Sequence, residues 1–275
     1  MLEPISVINA ISVDREIYTD GHSPLLTIGE DYEKYVVKNS RGRIPAFDLI
    51  NEFLANGLLQ CWNIPTPECT ILRIDPSLLV GYSNNHQARF YNYSSFGSRV
   101  IPKKLDLNEF TVAKNKSVFN KLHNPIDILR IGLFDLWVSN DDRKPTNQNL
   151  ILSIDDGGKY TITAIDHAFI FETLPYQDLN PKHFSPSVND HIILSDLAKI
   201  VKRYTNIDES FVKSEREYFY FCLDESQKNF EEIINNIPND LGLNDDLTNF
   251  LSQYLFNKKR NEQIFAEHIY RLSNQ

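Results

Sequence analysis

The feature that most constrains this chain is a polar loop, Ser139-Asn140-Asp141-Asp142-Arg143-Lys144-Pro145-Thr146-Asn147-Gln148-Asn149, set between an apolar helix and a β-hairpin. Upstream, Pro125 to Val138 carries Ile126, Ile128, Leu129, Ile131, Leu133, Phe134 and Trp137, a density that predicts a helix buried on most sides. Downstream, Asn149 to Ile154 and Lys159 to Ile165 read as strands joined by Asp155-Asp156-Gly157-Gly158, where glycine supplies the positive φ of a tight turn. The second strand runs into Ile165-Asp166-His167. A hairpin of this kind lets acids and amides at its two edges converge on one point. Carboxylate and amide oxygens are the ligands that a hard cation such as magnesium takes.

Around this centre the character of the chain changes. Up to about Pro102 it is strand-like with one helix, and the last third is helical. Ile5 to Val13 is a predicted strand. Leu25 to Ile28 and Tyr32 to Lys38 are two more, around a turn at Gly29-Glu30-Asp31. Phe47 to Cys61 is a helix, because Ile50, Phe53, Leu54, Leu58 and Cys61 recur at three- and four-residue steps. Thr70 to Ile74 is a short strand, and Tyr91 to Val100 is extended and aromatic. From His191 onwards several amphipathic helices follow.

Composition sets the outer limits. The 275 residues carry a formal net charge of −9, with 41% apolar and 24% charged residues. That balance is ordinary for a folded protein. The negative charge gives no general pull towards nucleic-acid phosphates or anionic membranes, and no stretch of 18 apolar residues predicts a membrane span. Direct nucleic-acid binding and membrane association are therefore not expected. Cys61, Cys69 and Cys222 are odd in number and lack zinc or disulfide spacing, which fits a reducing cytoplasm. The first residues do not have the layout of a signal peptide.

Asp142-Arg143-Lys144-Pro145-Thr146-Asn147 matches D-x-K-P-x-N, the catalytic-loop pattern of Ser/Thr protein kinases. Asp166, after an apolar strand, resembles the metal-binding Asp of D-F-G, and Tyr35-Val36-Val37-Lys38 resembles the strand that presents the ATP-phosphate lysine. There is no G-x-G-x-x-G loop, Asn140-Asp141 stand where His-Arg is usual, and His167-Ala168 follow Asp166. The sequence therefore resembles the HipA-like kinases, an atypical branch related to phosphatidylinositol kinases, with a D-R-x-x-x-N loop and an I-D-H metal motif. A Gly/Ser/Pro segment before the lysine strand, here Thr19-Asp20-Gly21-His22-Ser23-Pro24, fits that family too.

The resemblance implies an α+β, two-lobed protein-kinase-like fold. A small strand-rich lobe, 1–102, would bind nucleotide, and a mostly helical lobe, 103–275, would carry the catalytic loop. It implies ATP and Mg2+ as cofactors and a protein Ser/Thr acceptor. Since the family includes toxins of toxin–antitoxin systems, an antitoxin-like partner is a further implication.

Residue by residue, Lys38 would contact the ATP phosphates and Glu52, on the next helix, would orient it. Asp142 would act on the acceptor hydroxyl and Lys144 would neutralise the transferring phosphoryl group. Asn147 and Asp166 would hold magnesium, and Gly21 and Ser23 would let the backbone approach the phosphates. A phosphate on Ser23 adds roughly −1.5 to −2 charge, so autophosphorylation there would repel ATP.

Plainer readings stand beside these. Lys38 and Glu52 can be solvated surface charges, with Lys34 a lesser candidate for the phosphate cation. Asp142 can be a turn residue like Asp141, Asp166 a capping residue, and Gly21 and Ser23 parts of a simple turn. Asn149 is the alternative metal ligand. At the level of function, the alternatives to a protein kinase are a small-molecule or lipid kinase, a kinase-fold binding module, and a phosphate-releasing hydrolase.

Overall fold

The computed structural model describes residues 2, 4–18, 23–82, 84–105, 107, 115–182 and 191–274. Gly21 of the sequence-predicted turn lies outside these residues. The strand-rich part is a closed five-stranded barrel in the order β1-β2-β3-β5-β4. It comprises β1 (Ser6–Glu16), β2 (Leu25–Gly29), β3 (Lys34–Lys38), β4 (Cys69–Arg73) and β5 (Ser95–Arg99). Neighbouring strands run antiparallel except β1 and β4, which are parallel. Alternation along β3 turns Tyr35 and Val37 into the barrel, where they meet Leu25, Leu72 and Ile74. β3 pairs Lys38 with Phe96 of β5, which sets the lysine at the barrel's lower rim.

Helix α1 (Phe47–Cys61) lies between barrel and helices. It is buried on nearly every face, as its dense apolar content requires. Gly57 makes part of that packing possible, since a Cβ there would stand 2.9 Å from the Ile233 side chain. At its end Trp62 stacks on Trp137, 5.2 Å between centroids, and meets Phe134 and Phe219 edge-on. This aromatic cluster ties α1 to α3 (Asp127–Trp137), which follows the short α2 (Lys116–Lys121).

A second sheet, β6-β7-β8, comprises Lys104–Leu105, Leu150–Ile154 and Tyr160–Ala164. The last third holds α4 (Asp196–Tyr204), α5 (Glu209–Lys228), α6 (Phe230–Asn235), α7 (Asp245–Leu255) and α8 (Lys258–Asn274). Side-chain oxygens of Ser195, Asp208 and Asn244 cap α4, α5 and α7, each worth about 1 kcal/mol. Among the described residues no helix is long and apolar enough to cross a membrane, and the three cysteines are free and buried.

Some strand limits differ from the sequence-based expectation. Tyr91 belongs to a 3-10 turn, Ala88–Asn92, and only Ser95–Arg99 is strand. The cause is polar: the Tyr91 hydroxyl lies 2.6 Å from His86 Nδ1 and accepts from Asn39 Nδ2 at 3.0 Å, which folds the segment back over β3. Tyr32 sits in the turn before β3 with φ 64°, and Asn149 precedes β7 with φ 45°.

Candidate active site

β3 ends at Lys38 and α1 faces it one turn after its own start. The geometry that results joins three distant residues. Lys38 Nζ donates to Glu52 Oε1 at 2.5 Å and to Asp166 Oδ1 at 2.6 Å. Glu52 Oε2 accepts the backbone N–H of His167 at 3.0 Å. Lys38 and Glu52 are buried, and Asp166 keeps 38% of its side chain exposed. Burial works against the lysine's charge, but Glu52 and Asp166 outweigh it and raise its pKa, so Lys38 is an ammonium.

The polar loop builds a second cluster. After α3, Ser139 takes φ 50° and turns the chain. Lys144 and Asn147 then exchange two backbone hydrogen bonds of 3.0 Å, closing a tight turn over Pro145-Thr146. This brings Asn147 Nδ2 to Asp142 Oδ1 at 3.0 Å, and Asn149 Nδ2 to Asp142 Oδ2 at 2.9 Å. Both carboxylate oxygens of Asp142 are thereby oriented. Lys144 lies near Asp141, whose pKa burial raises and Lys144 opposes.

Arg143 joins the two clusters. It is fully buried. Nε pairs with Asp135 of α3 at 3.0 Å. Nη1 donates to the Asn149 carbonyl at 2.6 Å, and Nη2 to the Ile165 carbonyl at 3.1 Å. Nη2 also meets His167 Nε2 at 2.6 Å. Arginine only donates, so His167 accepts through Nε2 and carries its proton on Nδ1. Burial first, then the charges of Arg143 and Lys38, hold the His167 pKa well below the usual histidine value, and the ring is neutral. The Asn149 carbonyl also accepts the Ile165 N–H at 3.1 Å, so the mouth of the β7–β8 hairpin sets the loop beside Asp166.

Asp166 adopts φ 59°. For a non-glycine residue this conformation costs roughly 1–2 kcal/mol, and it persists here because Lys38, Arg143 and Glu52 fix the residues on either side. Strain held in place by surrounding contacts is common at functional sites.

Beside Lys38 opens a cleft of ≈ 450 Å³. Leu26 and Val36 line it from the barrel, Ile151 from the second sheet, Ile165 from just past β8, and Val100 and Ile101 from the connecting segment. Lys38, Glu52 and Asp166 line it as well. Arg15, Lys34, Arg99 and Lys104 add basic groups to the lining, and an apolar slot bordered by cations suits a flat heteroaromatic ring carrying an anionic chain. Among the described residues no three His, Cys, Asp or Glu side chains gather as a metal centre. The Asp166 carboxylate and the amide oxygen of Asn147, whose Nδ2 is turned to Asp142, are donors of the kind a hard divalent cation takes.

A HipA-like kinase family model matches residues 11–263. The chain belongs to the HipA-like kinase family. The crystal structure of the Helicobacter pylori proinflammatory kinase CtkA is similar to it at TM-score 0.59 and 12% identity, covering 98% of each chain. That of the Golgi casein kinase with Mn/ADP bound aligns at TM-score 0.48 and 10% identity, over 99% of this chain and 74% of the other. By sequence, none of the curated proteins matches. The likeness to CtkA establishes a kinase fold, mixed α+β, with a strand-rich N-terminal part and a helical C-terminal part.

Within this HipA-like fold, Lys38 meets both Glu52 and Asp166, and Asp142 meets both Asn147 and Asn149. Ser23 is buried with φ 44° beside the cleft-lining Pro24. Lys34 also lines the cleft, with Asp14 3.9 Å away. Sequence reasoning did not single out Arg143, Asn51 or the buried Asp135. Arg143 stands inside the D-R-x-x-x-N loop, so the motif held the one available signal.

Proposed function

We propose that the chain is an ATP- and magnesium-dependent kinase that phosphorylates a Ser or Thr hydroxyl of a protein. The observation that carries the reading is the Lys38 ammonium held between Glu52 and Asp166 in the wall of the cleft. Leu26, Val36, Ile151 and Ile165 would hold the adenine, and Lys38 would meet the phosphates. Glu52 orients the lysine, and the backbone at Ser23 would approach the phosphates, as the sequence implies for Gly21 too. Asn147 and Asp166 would hold magnesium, which supplies positive charge to the phosphate oxygens.

Asp142, with both oxygens fixed by amide donors, faces the acceptor. The acceptor oxygen forms a bond to the γ-phosphorus, the bond from that phosphorus to the β–γ bridging oxygen breaks, and ADP leaves. Asp142 takes the hydroxyl proton, and Lys144 offsets charge on the moving phosphoryl group. The compartment is the cytoplasm, to which three free buried cysteines are suited. Its partners are the protein substrate and, in this reading, an antitoxin-like protein.

The test is a cell lysate incubated with purified protein, magnesium and γ-labelled ATP. Label recovered as phosphoserine or phosphothreonine supports the reading. Label confined to lipids or small molecules overturns the protein acceptor.

A further inference from the structure

The residue before Glu52 makes a second set of contacts to the segment that follows Asp166. Asn51 is buried, and its Nδ2 donates to the Ala168 carbonyl at 2.9 Å. Its Oδ1 accepts the Tyr176 hydroxyl at 2.6 Å. Thus Asn51 and Glu52, adjacent on α1, hold the adjacent Ala168 and His167. Tyr176 is itself fully buried, with its ring edge-on to Phe47 of α1 at 4.7 Å and to Phe171 at 5.7 Å.

Between Ala168 and Tyr176 the backbone is strained. Phe171, Glu172 and Thr173 take φ values of 61°, 55° and 59° in succession, with no glycine among them. Three left-handed residues in a row are unfavourable and persist only where contacts impose them. The upstream contacts are to the end of α3: Phe171 N–H donates to the Val138 carbonyl at 2.8 Å and Glu172 N–H to that of Ser139 at 3.1 Å. The downstream contact is the Tyr176–Asn51 bond. Asn51 does not line the nucleotide cleft.

We infer that Asn51 and Tyr176 form a latch that pins this strained segment to α1 and so keeps Asp166 in register with Lys38 and Glu52. Both are positioning residues and act through the backbone of residues 167–171. The inference rests on the proposed kinase activity for its kinetic consequence, but its structural content stands apart from it.

Tyr176→Phe keeps the ring and removes the bond to Asn51, and Asn51→Ala removes both sets of bonds. Each variant should raise the magnesium concentration for half-maximal rate several-fold. The rate at saturating ATP should fall roughly ten- to a hundredfold, while the ATP KM at saturating magnesium moves little. The double variant should lose little more than Asn51→Ala alone, because one latch is broken once. Hydrogen–deuterium exchange should speed up at the amides of 167–171 and stay unchanged in α5 and α8.

A merely structural role would lower the melting temperature and leave the magnesium dependence as in the wild type, which overturns the inference. Unchanged exchange at 167–171 in Tyr176→Phe overturns it as well. If the wild-type protein transfers no phosphate, the kinase reading fails, and the exchange measurement alone then decides the latch.

Discussion

Lys38 Nζ and Asp166 Oδ1 lie 2.6 Å apart, although 128 residues separate them in the chain. One comes from the rim of the barrel and the other from the end of β8. The contact therefore sets the two parts of the fold across a cleft, with a cation on one wall and an anion on the other.

Replacing Lys38 tests that arrangement. Lys38→Met leaves the buried Glu52 without the Lys38 cation and removes the ammonium that bonds Asp166. Phosphate transfer should fall by roughly 10²-fold or more, with a lower melting temperature. Lys38→Arg should not rescue it, since a planar fork does not fit the place of a compact ammonium between two carboxylates. Initial rates and calorimetry measure both effects.

Asp166 and Asp142 should separate in binding. Asp166→Asn withdraws a negative oxygen ligand from the metal site, so magnesium-dependent binding of a non-hydrolysable ATP analogue should weaken. Asp142→Asn leaves Lys38, Glu52 and Asp166 untouched and should bind the analogue as the wild type does. Isothermal titration with and without magnesium reads the difference.

Arg143→Met strands Asp135, a fully buried carboxylate. Breaking such a pair costs about 3–5 kcal/mol, and the loss should appear in denaturant unfolding. The double change Asp135→Leu with Arg143→Met should recover part of it, because no unpaired charge remains. Activity should not recover, since the bonds to Asn149, Ile165 and His167 are still absent.

The order Lys38, Glu52, Asp142, Asn147, Asp166 was legible because each residue sits in a local pattern. The lysine ends a strand, the glutamate rides on a helix with an apolar stripe, and the loop precedes a glycine hairpin. The apolar stripe of α1 and the β7–β8 hairpin were legible for the same reason. The links between these pieces were not. Arg143 reaches Ile165 and His167, and Asn51 reaches Tyr176, through contacts that carry no period in the sequence. Tyr91 looked like strand on aromatic content alone, and its bond to His86, which has no local signal, curls it into a turn instead.

Acid should destabilise the fold through its buried histidines. Burial, with Arg271 close by, holds the His268 pKa down to about 3, against about 6.5 in the unfolded chain. Between those values the unfolded state binds the proton and the folded state does not. The stability is thus present above pH 6.5 and is lost as pH falls, at about 1.4 kcal/mol per unit. Neither ring nitrogen of His268 has a hydrogen-bond partner among the described residues. In His268→Leu the stability lost between pH 7.5 and pH 5 should be about 2 kcal/mol smaller than in the wild type. Urea unfolding at the two pH values checks it, and an unchanged difference would mean that His268 does not govern the acid response.

The central claim is that this site transfers phosphate and that Asp142 performs the proton step. The direct measurement is incorporation of label from γ-labelled ATP into protein, with magnesium, by the wild type and by Asp142→Asn. The account predicts transfer by the wild type and a loss of roughly 10²–10⁴-fold in the variant. A wild-type protein that binds nucleotide but transfers nothing, or a variant as fast as the wild type, would contradict it.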